Sequence, residues 1–330
     1  MEFGPVPTQK ALGAILAHSE QVEGGRLRKG VQLEQSHLQQ LAAAGLEEVT
    51  VAQLGSDDIH EDAAALALAK ALVPDEAAAS LNIGAVGTGR CNLFAATAGV
   101  VQIDEGAINA LNSIHPMITV STVPQHHRMD AGGMVATVKI ISYAVPEHAL
   151  RLTCAAAQEA LQLATVKLHQ ASYIETTLGA RTKGVDAIRG RVEALGGCMQ
   201  PPVFCAHETA ALCDALLQAS GDILLIMTAS ATSDLRDTAP SALRQAGGSV
   251  AHFGMPVDPG NLLFVGELRG KPVVGLPGCS RSPALNGADW VLERLICGIP
   301  VSAKDIMGMG VGGLLKEIPS RPQPRNPNRK

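Results

Sequence analysis

Three stretches in the C-terminal half of the chain gather hydroxyls, small residues and charges into short runs: IETTLGARTKG (174–184), IMTASATSDLRDTAP (226–240) and VVGLPGCSRSP (273–283). The first offers the hydroxyls of Thr176 and Thr177 and the charge of Lys183. The second has five hydroxyl residues together with Asp234, Arg236 and Asp237 ahead of a helix-forming run, and the third sets Pro277, Gly278, Ser280, Arg281 and Ser282 before another. Small and hydroxylated residues let backbone N–H groups approach an anion, and a helix N-terminus adds a favourable dipole. The chemistry that such loops suit is the holding of a phosphate or pyrophosphate. A carboxylate in the same place repels an anion unless a cation intervenes. Asp237 therefore has two readings: a ligand to Mg2+ shared with the phosphates, or the cap of the helix TAPSAL that follows it. Spacing alone does not choose between them.

Other chemistry-bearing residues have blander readings. Cys279 stands where a helix N-terminus can activate a thiolate, but no His partner is assignable to it, and a small filler is the preferred reading. Asp57, Asp58, Glu61 and Asp62 precede AAALALAKALV; negative charge in a first helical turn is favoured by the helix dipole and by capping, so they are read as structural. His126 and His127 are adjacent and would point to opposite faces of a strand, which argues against joint metal ligation. In GTGRCNLF (87–94), small residues surround Arg90 and Asn92, which are placed to meet a polar ligand, although Gly-rich turns are common. The sequence has no G-x-x-x-x-G-K-[ST] loop, no G-x-G-x-x-G after a strand and no G-x-S-x-G elbow. P-loop ATPases, dinucleotide-binding dehydrogenases and α/β-hydrolases lose ground accordingly.

The elements that must position the three loops are legible from periodicity. From about residue 166, strands (SYIETTL, DILLIM, SVAHFGM, NLLFVGEL, KPVVGL) alternate with helices (KGVDAIRGRVEALGG, ETAALCDALLQAS, DTAPSALRQAGG, PALNGADWVLERLICG). The continuous apolar run DILLIM suits a strand buried on both faces, and Leu285, Val291, Leu292 and Leu295 of the last helix are expected to pack inward. Alternation of this kind predicts an α/β fold with a mainly parallel sheet, and ligands at the C-terminal ends of its strands. Ahead of it come an N-terminal α/β segment (1–55) and a β-rich module with helices (56–165), in which ITVSTV and MVATVKII read as strands. The unit at 166–315 is followed by a Pro- and Arg-rich tail (316–330) with nothing to bury, expected to be disordered.

Composition narrows the function classes. Of 330 residues 46% are hydrophobic but only 2% aromatic, so few rings exist on which a nucleobase could stack, and the net charge of −5 lacks the basic excess of a phosphate-tracking surface. No nucleic-acid partner is expected. Seven cysteines without a C-x-x-C pair argue for reduced thiols and against a zinc site. No secretory signal is indicated, and no apolar run approaches the roughly 20 residues that span a bilayer. The expectation is a cytoplasmic protein that handles small molecules away from membranes.

The series DILLIMTASATSDLRDTAP, DPGN and LPGCSRSP resembles the molybdopterin-binding domain of the molybdopterin adenylyltransferases and molybdenumtransferases, the MoaB/Mog and MoeA families. Their pattern runs from a buried strand into T-G-G, an Asp opening the next helix, a P-G turn and L-P-G-N-P-x-S. Here Thr228 keeps the first position, Asp237 matches the helix-opening acid, Pro259 and Gly260 match the turn, and Leu276, Pro277 and Gly278 match the last motif. The likeness covers about 170–297. GAILAHS, GRLRKG, GMPVDPGNLL and GMGVGGLLKEIPSRPQPR are similar to a proteobacterial group of molybdopterin-binding proteins, some of which carry a C-terminal nucleotidyltransferase domain. No cytidylyltransferase motif is present here, so that activity is not implied.

The resemblance implies a three-layer MoaB/Mog-like domain and a cytosolic role in molybdenum cofactor biosynthesis, with molybdopterin or its nucleotide-activated form at the strand ends. If the protein is catalytic, it implies Mg2+-dependent adenylyl transfer or molybdate insertion, with Asp237 and Glu208 as catalytic acids and Asp237 on the metal. Thr228, Ser230, Gly278 and Ser280 would hold phosphate or pterin, while Lys183 and Arg281 would balance charge. Ala229 and Ser230 add side chains where the families have Gly, and the Asn and Pro of the last motif are replaced. Those departures favour binding over turnover and keep open a non-catalytic carrier that hands cofactor to a nucleotidyltransferase or molybdoenzyme partner. Homo-oligomerisation is left open.

Overall fold

The computed structural model describes residues 1–179 and 184–315; Lys183 and the 316–330 tail lie outside the described residues. By internal contact the chain divides into two units. One comprises residues 1–97, 101–127 and 131–163, and the other comprises 98–100, 128–130 and the chain from Ala164 on.

In the first unit, Glu48–Gln53 buries Val49 and Val51 by simple alternation and pairs antiparallel with Glu2–Pro7 and Ile15–Leu16. The helix Gln35–Ala43 sets Leu38 and Leu41 into the same core, and Gly45, at φ 79°, ends it in the left-handed conformation that glycine adopts freely. A four-stranded antiparallel sheet follows, in the order Ile118–Thr122, Met134–Ile140, Arg90–Ala95, Leu81–Ile83.

The acidic run is divided between two elements. Ile59 pairs with Val145 in a short strand, Asp58–His60, against Ala144–Pro146, so only Glu61 and Asp62 occupy the first turn of the helix Glu61–Leu72. His60 caps that helix, its Nδ1 accepting from the Asp62 N–H at 3.2 Å, while Asp58 accepts from the Gly55 N–H at 2.7 Å. In the GTGR turn, the Gly89 N–H donates to Asp62 Oδ1 at 2.7 Å, and a Cβ on Gly89 would stand 2.5 Å from Glu61 Oε2. Asn92 accepts from the Thr137 hydroxyl at 2.7 Å, a cross-strand link within the sheet.

The second unit is built on one mixed sheet. Cys198–Met199 and Val203–Ala206 both pair with Gln170–Thr177, after which come Ile223–Met227, Lys271–Leu276, Phe264–Leu268 and Ser249–Phe253. Pairing is parallel as far as Lys271–Leu276, and Phe264–Leu268 runs antiparallel to both its neighbours. Phe264–Leu268 and Lys271–Leu276 form a hairpin that turns at Arg269 and Gly270, both at positive φ. Gly275 permits the pairing, since a Cβ there would lie 1.9 Å from the Phe264 ring.

Ile223–Met227 is buried along its length. Leu225 and Met227 join a core with Ile188 and Val192 of the helix Val185–Glu193 and with Val291, Leu292 and Ile296 of the helix Gly287–Ile296. Leu224 and Ile226 join another with Leu212 and Leu216 of Thr209–Gln218 and with Ala239, Ala242 and Leu243 of Thr238–Gln245. Each such side chain contributes about 1.5–3 kcal/mol relative to exposure, which is why an uncharged run sits here. One packing expectation fails: Leu285 is 55% exposed and precedes the helix. Asn286 and Asp289 form a capping box that starts the helix at Gly287, so Leu285 never joins its inward face.

Candidate functional site

Parallel strands bring their C-terminal ends, and the loops that follow them, to one edge of a sheet. Here those ends are Val203–Ala206, Gln170–Thr177, Ile223–Met227 and Lys271–Leu276. Gln170–Thr177 carries an acid on an otherwise uncharged strand. Glu175 is 0% exposed, and its Oε2 accepts from the Tyr173 hydroxyl at 2.7 Å. Arg281, from the loop after Lys271–Leu276, donates through Nη1 to Glu175 Oε1 at 2.6 Å and through Nη2 to the Thr228 carbonyl at 3.1 Å. A buried carboxylate persists when paired and hydrogen-bonded in this way. Burial, and then the bond to Glu175 and its charge, push the Tyr173 phenol far above its ordinary value, so it stays a neutral donor. Gly184 lies against Arg281: at φ 125°, a Cβ there would come within 2.7 Å of Arg281 Cβ.

A second cross-strand link lies beside the first. Thr176, also 0% exposed, accepts from the Ala229 N–H at 3.0 Å, and its Oγ1 is 2.8 Å from His207 Nδ1. Thr177 reaches the Cys205 carbonyl at 3.5 Å. In the loop after Ile223–Met227, the Thr228 and Thr232 hydroxyls are 3.2 Å apart and buried, while Ser230 is exposed. Among the described residues, the N–H groups of Ser230, Ala231 and Thr232 have no protein acceptor.

Asp237 caps the helix Thr238–Gln245. Its Oδ1 accepts from the Thr238 N–H at 2.7 Å and its Oδ2 from the Ser233 N–H at 3.1 Å, which folds the loop back on the helix start. Asp234 is exposed and accepts from the Arg236 N–H at 2.7 Å. Glu208 is exposed at the start of the helix Thr209–Gln218 and makes no capping bond. Among the described residues no group of three or more His, Cys, Asp or Glu side chains is arranged to hold a metal ion.

The Pro277–Ser282 loop begins with the short helix Gly278–Arg281 and is fastened from beneath. Arg191 pairs with Asp289 through Nε and donates to the carbonyls of Ser280 at 2.9 Å, Ser282 at 2.8 Å and Ala284 at 3.1 Å. The Ser280 hydroxyl, wholly buried, donates to Asn286 Oδ1 at 3.2 Å. Pro259 and Gly260 abut the start of the next helix: the Gly287 N–H donates to the Pro259 carbonyl at 2.8 Å, and a Cβ on Gly260 would lie 2.7 Å from that nitrogen. Burial pushes the Cys279 thiol up, in keeping with a packing role.

Glu175, Arg191 and Asp289 escaped the sequence reading. Glu175 had a signal, an acid inside an apolar strand; Arg191, on an amphipathic helix, had none. No helix among the described residues is long and apolar enough to cross a membrane.

A family model described as a domain of unknown function (DUF8806) matches residues 5–53. No curated protein matches the sequence. Among solved structures, the chain is similar to a molybdopterin biosynthesis MoeA protein from Pyrococcus horikosii, with 14% identity and a TM-score of 0.28, covering 94% of this chain and 76% of that one. It is similar also to a molybdenum cofactor biosynthesis protein from Pyrococcus furiosus, with 11% identity and a TM-score of 0.25, covering 93% of this chain and 65% of that one.

Proposed function

We propose that the strand-end edge of the second unit binds molybdopterin or its nucleotide-activated form, and that the protein serves molybdenum cofactor biosynthesis in the cytoplasm. The observation that carries this reading is the loop from Thr228 to Thr232, in which the N–H groups of Ser230, Ala231 and Thr232 lack acceptors among the described residues, beside the Pro277–Ser282 loop that Arg281 ties to it. Consecutive unpaired N–H groups are the donors that a phosphate or pyrophosphate satisfies. The motif series Thr228, Asp237, Pro259-Gly260 and Leu276-Pro277-Gly278 supports a pterin phosphate over other phosphates, and the sheet with helices packed on both faces is in this reading a three-layer MoaB/Mog-like domain. In this reading Thr177 and Ser282 shape the rim, Thr176 and Ser280, both buried, support it from within, and Lys183 with Arg281 offsets the ligand's charge.

A carrier reading is favoured by one feature. Both oxygens of Asp237 already accept backbone N–H groups, so Asp237 serves the helix before any metal. The protein would then hold the cofactor for a nucleotidyltransferase or molybdoenzyme partner. Incubation of the purified chain with adenylylated molybdopterin, Mg2+ and molybdate tests both readings. AMP release that disappears in Asp237→Ala supports transfer chemistry, tight pterin retention without AMP release supports the carrier, and failure to retain pterin at all removes the functional reading.

A further inference from the structure

We propose that His207 is a ligand-contacting residue of this edge, fixed by Thr176 in the tautomer with its proton on Nε2, and that it donates a hydrogen bond to an anionic oxygen of a phosphate or pyrophosphate group. The proposal rests on the phosphate reading above and names a contact that the motif series does not contain.

The tautomer follows from counting protons. Thr176 Oγ1 is wholly buried, accepts from the Ala229 N–H at 3.0 Å and lies 2.8 Å from His207 Nδ1. A hydroxyl owns one proton and must place it on an acceptor when it is out of reach of water. Were Nδ1 protonated, it would donate to Thr176 Oγ1, and the hydroxyl proton would have no acceptor. With Nδ1 bare, the hydroxyl donates to it and every group in the chain is satisfied. The imidazole proton then sits on Nε2, across the ring from Thr176.

Placement supplies the rest. The His207 N–H donates to the Thr177 carbonyl at 3.1 Å, which pins the residue to the end of the strand Gln170–Thr177. The side chain is half-buried, and Nε2 has no protein partner among the described residues. The chain from the Ala229 N–H through Thr176 to His207 joins the loop with unpaired N–H groups to the imidazole, and linked hydrogen bonds of this kind polarise one another. Binding at the Ser230–Thr232 amides and donation from His207 are thereby coupled.

Long-range proton–nitrogen NMR spectra of the full chain test the proposal, first free, then with inorganic pyrophosphate, then with molybdopterin. The expected result is the Nε2–H tautomer in the free protein, and movement of the His207 ring signals as pyrophosphate binds. His207→Gln, whose amide keeps a donor near Nε2, should bind pyrophosphate within about threefold of the parent, whereas His207→Ala loses about tenfold, as one lost donor predicts. An Nδ1–H tautomer, or pyrophosphate binding that leaves His207 unmoved, overturns the proposal and leaves the functional reading standing. Movement with pyrophosphate but no molybdopterin binding removes the pterin reading and keeps the proposal. If neither probe binds, both fall.

Discussion

Arg281 and Glu175 meet through a 2.6 Å N–H···O bond although 106 residues separate them, and the same guanidinium reaches the Thr228 carbonyl. One side chain thus joins the ends of three adjacent parallel strands at the edge where the hydroxyl-rich loops emerge. A cation placed there does two things. It neutralises a carboxylate that has no access to water, and it sets the spacing between the loops on either side. The site's geometry is therefore as rigid as this pair, and a ligand's negative charge would arrive at a guanidinium already partly committed to Glu175.

Breaking the pair from one side leaves the other charge buried. Arg281→Ala should cost about 3–5 kcal/mol in unfolding free energy, because Glu175 loses its cation. Glu175→Gln in the Arg281→Ala background should recover much of that loss, since a neutral amide can still accept from Tyr173. Urea denaturation of the two single variants and the double variant measures this. Additive losses would show that the pair does not act as a unit.

Arg191 fastens the Pro277–Ser282 loop by three carbonyl contacts and the pairing with Asp289. Arg191→Met removes the donors but keeps much of the apolar stem, and each carbonyl left unsatisfied costs about 1–3 kcal/mol where water cannot reach it. The expected outcome is local release. Hydrogen exchange across 278–286 should speed up by at least about tenfold while exchange within Ile223–Met227 slows or holds; equal acceleration in both would mean global destabilisation instead.

These two contacts mark where the sequence stops being informative. ILLIM reads as a buried strand because a five-residue apolar run has few other uses, and the hydroxyl-rich loops stand out because their composition changes abruptly. Glu175 was legible as an anomaly, since an acid inside SYIETT must be either exposed or paired. Its partner was not, because only the placing of Ile223–Met227 and Lys271–Leu276 as the next two strands of the sheet brings Arg281 to it. Arg191 is harder still: on a short amphipathic helix it has the signature of a solvated face residue, and its acceptors are carbonyls, which every residue possesses. Asn286 and Asp289 could have been read as a capping box, and doing so would have placed Leu285 outside the helix.

Glu293 gives the second unit a pH dependence. Burial, and then the charge of Asp289, push its carboxyl up to about 7 from 4.5, while Arg128, Arg191 and Arg294 pull the other way. The folded value lies above the unfolded one, so its stabilising contribution is present below about pH 4.5 and is lost as the pH rises through about 7. The span corresponds to about 3 kcal/mol. Glu293→Gln removes the titration, so urea denaturation at pH 5 and pH 8 should show the parent losing stability relative to the variant across that interval. Parallel behaviour of the two proteins would refute the assignment.

Asp237 is where a structural duty and a chemical one can be separated by a single atom. Its carboxylate accepts from the Thr238 N–H through Oδ1 and from the Ser233 N–H through Oδ2; asparagine, with one acceptor oxygen, keeps one of these bonds, whereas alanine keeps neither. Asp237→Ala should therefore cost about 1 kcal/mol in stability, and Asp237→Asn less, since the bond at the helix start is kept and the one to Ser233 is lost. The larger difference between Asp237 and asparagine is charge. If Asp237 serves only the helix, Asp237→Asn retains molybdopterin as the parent does, or better, since a negative charge beside the bound phosphate is gone. If it holds a cation with the phosphates, Asp237→Asn loses any Mg2+-dependent AMP release while its denaturation curve stays closer to the parent's than that of Asp237→Ala. Retention of pterin and release of AMP, measured on the same preparation, decide between the two.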